Sequence, residues 1–323
     1  MGNDISKLTR REWNKQAALA GGMIAAASAG AGSAAAAGGL ELRPLGKTGL
    51  AVSVLGIGTS PLGAPAVTEK EVDRVLGAAI DEGINYLDTA PIYGQSERRL
   101  GPALKGRRDK FVLVSKVESN SNQDATWQIQ ESLQKLRTDY LDVVHLHNVG
   151  RTDRFPDLDL LMGPEGALEA LRTAKRKGQI RHIGLTCHLR PKRALPVIQS
   201  GDIEVVMCAA NFVDVHTYNF EGTVFADARQ RGLGIVAMKI LGGAEGDGAK
   251  LSADEHYTTA VRYALGIPGL SVAIMGMKNA PELKKAVETV RVYRPFDDAE
   301  LSSLRESGKK MAASWGELRG PVA

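Results

Sequence analysis

Val54-Leu55-Gly56-Ile57-Gly58-Thr59-Ser60-Pro61 is the stretch on which the fold turns. Gly56-Ile57-Gly58 begins like the glycine fingerprint that follows the first strand of a doubly wound sheet and brings the backbone close to a pyrophosphate. The third glycine of that pattern is due at position 61, which is Pro. The doubly wound sheet is therefore the disfavoured alternative. Outward from this stretch, short apolar runs alternate with longer stretches of helical period. The predicted strands are Val54–Gly58, Asn85–Asp88, Phe111–Lys116, Leu141–His147, His182–Thr186, Val205–Ala209, Gly234–Lys239 and Ser271–Met275. Helical stretches follow at Glu69–Glu82, Ser96–Leu104, Thr126–Leu136, Glu165–Lys177, Lys192–Gln199, Thr223–Gln230, Ala253–Leu265 and Pro281–Val290. Eight such units in about 280 residues predict an α/β chain folded as a (β/α)8 TIM barrel, whose usual size is about 250 residues. Before the first unit, Leu42 to Ser53 holds two short runs around Gly46-Lys47-Thr48-Gly49, as expected of an N-terminal β-hairpin. Gly46-Lys47-Thr48 is not a P-loop, because Glu41 stands where such a loop needs its first glycine.

The chain has 323 residues, with 41 basic against 37 acidic and a net charge of +4. Residues 1–39 carry half of that excess, on Lys7, Arg10, Arg11 and Lys15 against Asp4 and Glu12. The remainder is nearly balanced and has no basic run of the kind nucleic-acid binding requires, so that function class is set aside. Cys187 and Cys208 are the only cysteines. Two cysteines at that spacing build neither a disulfide framework nor a zinc site, and no metal is expected.

From Ala17 to Gly39 there is no charged residue, and the stretch is mostly Ala, Gly and Ser. Just before it, Thr9-Arg10-Arg11-Glu12-Trp13-Asn14-Lys15 resembles the twin-arginine export signal, with Trp13 and Asn14 replacing its usual Phe and Leu. The mild apolar region and the small residues Ala34 to Ala37 complete the pattern of an export signal with its cleavage site. The division expected is a signal peptide over 1–39 and a barrel over 40–323, with an exported, periplasmic mature chain. The resemblance implies the twin-arginine machinery as a partner and no stable membrane span in the mature form. A low-complexity tail is the plain alternative, and the myristoylation-like Met1-Gly2-Asn3-Asp4-Ile5-Ser6 explains nothing downstream.

In a barrel the chemistry sits at the C-terminal ends of the strands. There the sequence places Asp88, then Tyr93 in the following loop, Lys116 and His147. A buried Lys beside an Asp stays charged, and its ammonium favours the tyrosinate, which is expected to lower the Tyr93 pKa. Tyr93 then serves as a general acid, delivering a proton to a carbonyl oxygen while a cofactor delivers hydride to the carbon. His145 lies one layer deeper on the same strand face and reads as a satisfied core histidine.

These residues stand in motifs that resemble the aldo-keto reductases. The motifs are Gly46-Lys47-Thr48-Gly49, Leu55-Gly56-Ile57-Gly58-Thr59 and Gly83-Ile84-Asn85-Tyr86-Leu87-Asp88-Thr89-Ala90-Pro91-Ile92-Tyr93-Gly94. Leu133 to Asp142 and Lys177 to Gly184 add to them, and the likeness runs from about Leu42 to about Val292. It implies a catalytic set of Asp88, Tyr93, Lys116 and His147, with His147 orienting the substrate carbonyl. It also implies nicotinamide-dinucleotide contacts at Gly58, Thr59, Thr186, Cys187, Met238, Lys239, Leu241, Gly276, Met277 and Lys278. NADP is the expected form, with NAD possible. Thr186-Cys187 replaces the family's usual Ser-Asn, Met207 stands where Gln is frequent, Met238 lies where an aromatic usually stacks, and Glu282 lies near a usual Arg. The loop Gly242 to Lys250 is expected to be a lid over the cofactor or an idle linker.

The function so implied is NAD(P)H-dependent reduction of an aldehyde or ketone, a small-molecule carbonyl substrate, or oxidation of an alcohol in reverse. A barrel that binds the dinucleotide without catalysis, as a sensor or binding subunit, is the alternative that the altered contacts leave open.

Overall fold

The computed structural model describes residues 39–243 and 251–323. All but the last residue of the segment read as an export signal, and most of the glycine-rich loop after Gly242, lie outside the described residues. Strands β1 (Leu42–Pro44) and β2 (Ala51–Ser53) form the predicted antiparallel hairpin. The eight strands that follow are β3 (Leu55–Gly58), β4 (Tyr86–Asp88), β5 (Val112–Val117), β6 (Leu141–Leu146), β7 (Ile180–Cys187), β8 (Val205–Ala209), β9 (Gly234–Met238) and β10 (Val272–Gly276). They pair in parallel and in sequence order, and β10 returns to β3 to close the barrel. Each matches a predicted run to within two residues.

The helices around it are α1 (Glu69–Asp81), α2 (Ser96–Ala103), α3 (Asn122–Leu136), α4 (Leu158–Met162), α5 (Ala167–Arg176), α6 (Ala194–Gln199), α7 (Val224–Arg231), α8 (Asp254–Leu265), α9 (Ala280–Arg291) and α10 (Asp298–Trp315). Helix α1 shows why they form where they do. Thr68 caps it by accepting from the Glu71 N–H, and Val72, Val75, Leu76 and Ala79 lay one buried stripe against the barrel. None of the helices among the described residues is long and apolar enough to cross a membrane.

Strand alternation splits the core in two. Tyr86, Val112, Val114, Val143, Val205, Met207, Val236, Met238, Val272 and Ile274 fill the barrel interior, and the hairpin residues Leu45 and Val52 close its floor. A Cβ on Gly234, the first residue of β9, would lie 2.7 Å from the Leu45 side chain, so the hairpin seats at the N-terminal ends of the strands. The C-terminal ends are left as the mouth. The opposite strand faces, among them Leu55, Leu87, Leu113, Leu146, Leu185, Cys187, Cys208 and Met275, pack with the helices.

Helix α10 was not expected from the sequence. Asp297 and Glu300 make a full capping box at its start. Gly308 lets it lie on the chain at Phe212, whose carbonyl oxygen would be 2.0 Å from any Cβ there.

Candidate active site

Asp88 ends β4 and Lys116 lies one residue from the end of β5, both on the inner strand face. Lys116 Nζ donates to Asp88 Oδ1 at 2.7 Å and to the Thr89 carbonyl at 2.6 Å. Burial works against the ammonium, but Asp88 and Tyr93 outweigh it and hold Lys116 above the usual lysine range. Burial pushes the Asp88 carboxyl up, and Lys116 only partly pulls it back.

Tyr93 reaches the same point from the loop between β4 and α2. Its ring centroid lies 4.7 Å from Lys116 Nζ. The loop is held by Gly63, where a Cβ would sit 1.7 Å from the Tyr93 carbonyl oxygen, and by Gly94, whose φ of 56° is the left-handed conformation that favours glycine. Here the electrostatics differ from the sequence expectation. Burial raises the Tyr93 pKa more than Lys116 lowers it, with Asp88 and Glu118 adding to the rise, so the phenol stays protonated above its ordinary range.

His147 follows β6 and stands edge-on to Tyr93, with ring centroids 6.1 Å apart. Burial, then Lys116 and Arg154, keeps its imidazole neutral. Its Nδ1 contacts Glu118 Oε1, which also accepts from Arg154 Nη1 at 2.9 Å. Glu118 and Arg154 were not singled out from the sequence. The signal for Glu118 was present, since it lies two residues beyond Lys116 and shares its strand face. Arg154 comes from the loop after β6, which the sequence left unread.

His188 is half-buried beside His147, with ring centroids 6.0 Å apart, and its N–H donates to Asn148 Oδ1 at 3.0 Å. His145 is in the barrel core as expected, paired in register with Lys116, yet neither ring nitrogen has a partner among the described residues. Its ring covers Gly184, where a Cβ would meet His145 Nδ1 at 2.3 Å.

The expected cofactor residues divide by strand face. Gly58 and Gly276 are register partners on the inner face, so two neighbouring strands reach the mouth without side chains. A Cβ on Gly58 would lie 3.0 Å from Ile274, and one on Gly276 would lie 3.0 Å from Pro61. That bare rim suits the close approach of a flat or extended group such as a dinucleotide. Met238 lies in the interior beside Met207, and a thioether can cover a ring face there. Thr59, one residue past Gly58, is committed on the helix side, donating through its hydroxyl to the Asp88 carbonyl at 2.9 Å and accepting from Ser96 of α2 at 2.7 Å. The Thr186 hydroxyl accepts from the Asn148 N–H at 2.7 Å. Cys187 and Met277 correct the expectation of side-chain contacts at the mouth: both are buried in the helix-facing core. The Cys187 thiol donates to the Leu189 carbonyl at 3.0 Å, and burial pushes its pKa up to about 12. Lys239 has a φ of 53°, and its carbonyl accepts from Asn211 Nδ2 at 3.1 Å. Leu241 is partly buried against the outer core. Lys278 is exposed and pairs with Glu282 at 3.4 Å.

The C-terminal tail crosses one side of the mouth. Arg319, 2% exposed, pairs with Asp214 and donates to the Gly243 carbonyl, while Tyr218 OH accepts from the Arg319 N–H at 2.7 Å.

Comparison with known proteins places this geometry. The Aldo/keto reductase family profile matches residues 54–255. L-galactose dehydrogenase of Arabidopsis thaliana is 36% identical over 160 residues, covering 46% of this chain and 48% of that protein. D-arabinose 1-dehydrogenase of Saccharomyces cerevisiae is 25% identical over 313 residues, covering 83% and 88%. The chain thus spans about half the length of the first of these relatives and most of the second. Among solved structures, an aldo-keto reductase of Pseudomonas aeruginosa superposes with a TM-score of 0.66 at 31% identity, over 77% of this chain and 94% of that one. The holo form of an aldo-keto reductase from Bacillus halodurans gives 0.66 at 26% identity, over 83% and 96%. A profile that takes in seven of the eight barrel strands, joined to the same architecture in solved relatives, settles the family: this chain belongs to the aldo/keto reductases.

Proposed function

We propose that the protein is an NAD(P)H-dependent reductase of aldehydes or ketones, acting on alcohols in reverse, with Tyr93 as its general acid. The observation that carries this reading is the placement of Lys116, bonded to Asp88 at 2.7 Å and 4.7 Å from the Tyr93 ring centroid, at the mouth of the barrel. A half-buried phenol that stays protonated is in the form a donor needs, and a charged lysine beside it stabilises the tyrosinate left behind. The nicotinamide, when bound, supplies or accepts the hydride. Gly58, Gly276 and Met238 would hold it against the mouth. Two relatives are named as dehydrogenases of sugars, L-galactose and D-arabinose, which supports a small hydroxylated carbonyl compound as substrate.

NADPH is the proposed form, with Lys278 reaching its 2′-phosphate. The ion pair between Lys278 and Glu282 favours NADH as a second reading, because Glu282 takes up part of the charge a phosphate would need. The twin-arginine pattern at Arg10-Arg11 supports work in the periplasm after export.

The test is Tyr93→Phe. Dinucleotide binding, read by fluorescence, stays near the wild-type value, while carbonyl reduction falls by about 10²–10⁴-fold with the loss of general acid catalysis. An unchanged rate overturns the assignment of Tyr93 as the acid, and a wild type that reduces no carbonyl compound leaves the barrel as a binding protein.

A further inference from the structure

Asn148 comes two residues after the end of β6, and only 4% of it is exposed. Its φ of 67° lies in the left-handed region, which Asn tolerates better than most residues with a Cβ. Three hydrogen bonds hold it there. Its N–H donates to Thr186 Oγ1 at 2.7 Å, its carbonyl accepts from the Arg151 N–H at 2.9 Å, and its Oδ1 accepts from the His188 N–H at 3.0 Å. Only the oxygen of a side-chain amide can receive a backbone N–H, so the other end of Asn148 is its NH2 group. No described residue accepts from that Nδ2, and it is not one of the polar atoms sealed away from solvent. An almost buried, firmly held amide therefore keeps its donor hydrogens free beside the mouth.

The neighbours of Asn148 say what those hydrogens meet. Thr186, whose hydroxyl receives the Asn148 N–H, is the register partner of Met207, and Met207 shares the barrel interior with Met238. On that side of the mouth, thioethers are placed to cover an aromatic face. The end of β7 brings no amide to it, since Thr186 is fully buried and Cys187 packs with the helices. We propose that Asn148 binds the dinucleotide at its nicotinamide, with Nδ2 donating to the oxygen of the ring's carboxamide. This rests on the functional reading above and adds to it a recognition residue supplied from the end of β6. A carboxamide oxygen taken out of water needs a donor, and a donor fixed by its own three bonds meets it at little cost in side-chain order.

Calorimetric titration with NADP+, with its thionicotinamide analogue and with 2′-phospho-ADP-ribose reads this without turnover. Sulfur is a weaker acceptor than oxygen, and 2′-phospho-ADP-ribose has no pyridine ring. The wild type binds NADP+ about fivefold more tightly than the thio analogue, as for one hydrogen bond. Asn148→Gly removes the amide at a position where glycine takes the left-handed turn without strain. It loses about fivefold for NADP+, binds NADP+ and the thio analogue alike, and holds 2′-phospho-ADP-ribose as the wild type does. A parallel loss for all three ligands overturns the proposal, because Asn148 then only shapes the mouth. A preference for NADP+ that survives in Asn148→Gly overturns it too. If Tyr93→Phe reduces carbonyl compounds at the wild-type rate while the Asn148 pattern holds, the acid assignment fails and the proposal stands; a wild type that binds no dinucleotide sinks both.

Discussion

Lys116 Nζ and Asp88 Oδ1 lie 2.7 Å apart inside the barrel, with only 1% and 4% of the two side chains exposed. Such a pair is expensive to split, since either group alone is a charge without water. Lys116→Met strands Asp88 and lowers stability by about 3–5 kcal/mol, whereas Lys116→Met/Asp88→Asn recovers much of that loss. Urea denaturation of the two variants checks it. Equal stabilities for the single and double variants would show that Asp88 finds other partners.

The same substitution tests the coupling to Tyr93. Reduction needs the protonated phenol, so activity is lost as pH rises through the Tyr93 pKa. Lys116 lowers that pKa against the stronger effect of burial. Without the ammonium the pKa climbs further, and the basic limb of the pH–rate profile moves to higher pH. A limb that stays in place would confine Lys116 to holding Asp88 and the Thr89 carbonyl.

Gly63 carries a prediction about placement. Its α-carbon faces the Tyr93 carbonyl so closely that a Cβ would sit 1.7 Å from the oxygen, and backbone must move to make room. Gly63→Ala shifts the Tyr93 loop, and displacement of a reacting group by about 1 Å costs on the order of 10²-fold in rate. Steady-state kinetics beside thermal melting separate this from unfolding. A variant with full activity would show that the loop yields without carrying Tyr93 with it.

What the sequence revealed and what it hid follow strand parity and loop length. Asp88 and Lys116 were legible because each ends a short apolar run where only a polar purpose explains it. Cys187 and Met277 were misplaced because motif position was followed and alternation was not. Thr186 and Gly276 point inward, so the residue after each must face the helices. Glu118 obeyed the same parity rule and was overlooked, because its partner Arg154 sits in a loop with no periodic signal. Helix α10 escaped notice because its apolar contribution is thin, with Leu301, Leu304, Met311 and Trp315 only partly buried. Its Asp297–Glu300 capping box was readable and was not used.

The export proposal makes its own prediction. Replacing Arg10 and Arg11 together by Lys leaves the barrel untouched, since the pair lies outside it, yet strands the precursor in the cytoplasm, still able to bind dinucleotide. Wild-type protein recovered from the periplasm begins within a few residues of Ala37 by N-terminal sequencing. Normal export of the Lys-Lys form, or a mature chain that still begins near Met1, would refute the signal-peptide reading.

Glu204 is one of the carboxylates that tie the stability of the fold to acid pH. Standing just before β8, it meets His182 Nδ1 at 2.7 Å, pairs with Lys175 and accepts from the Ile183 N–H at 3.2 Å. Burial alone would raise its pKa, but His182 and Lys175 outweigh burial and pull it down to about 2. A carboxyl depressed in the folded state stabilises the protein above its unfolded value of about 4.3 and loses that contribution as pH falls towards the folded value. With 29% of the side chain exposed, solvent screening trims the effect to about 1–2 kcal/mol. Glu204→Gln should therefore be less stable than wild type at neutral pH, and the gap should close between about pH 5 and pH 2. Denaturant melts at stepped pH measure it. A gap that holds constant down to pH 2 would mean the loss is one of shape and hydrogen bonding, with the ionised carboxylate contributing nothing.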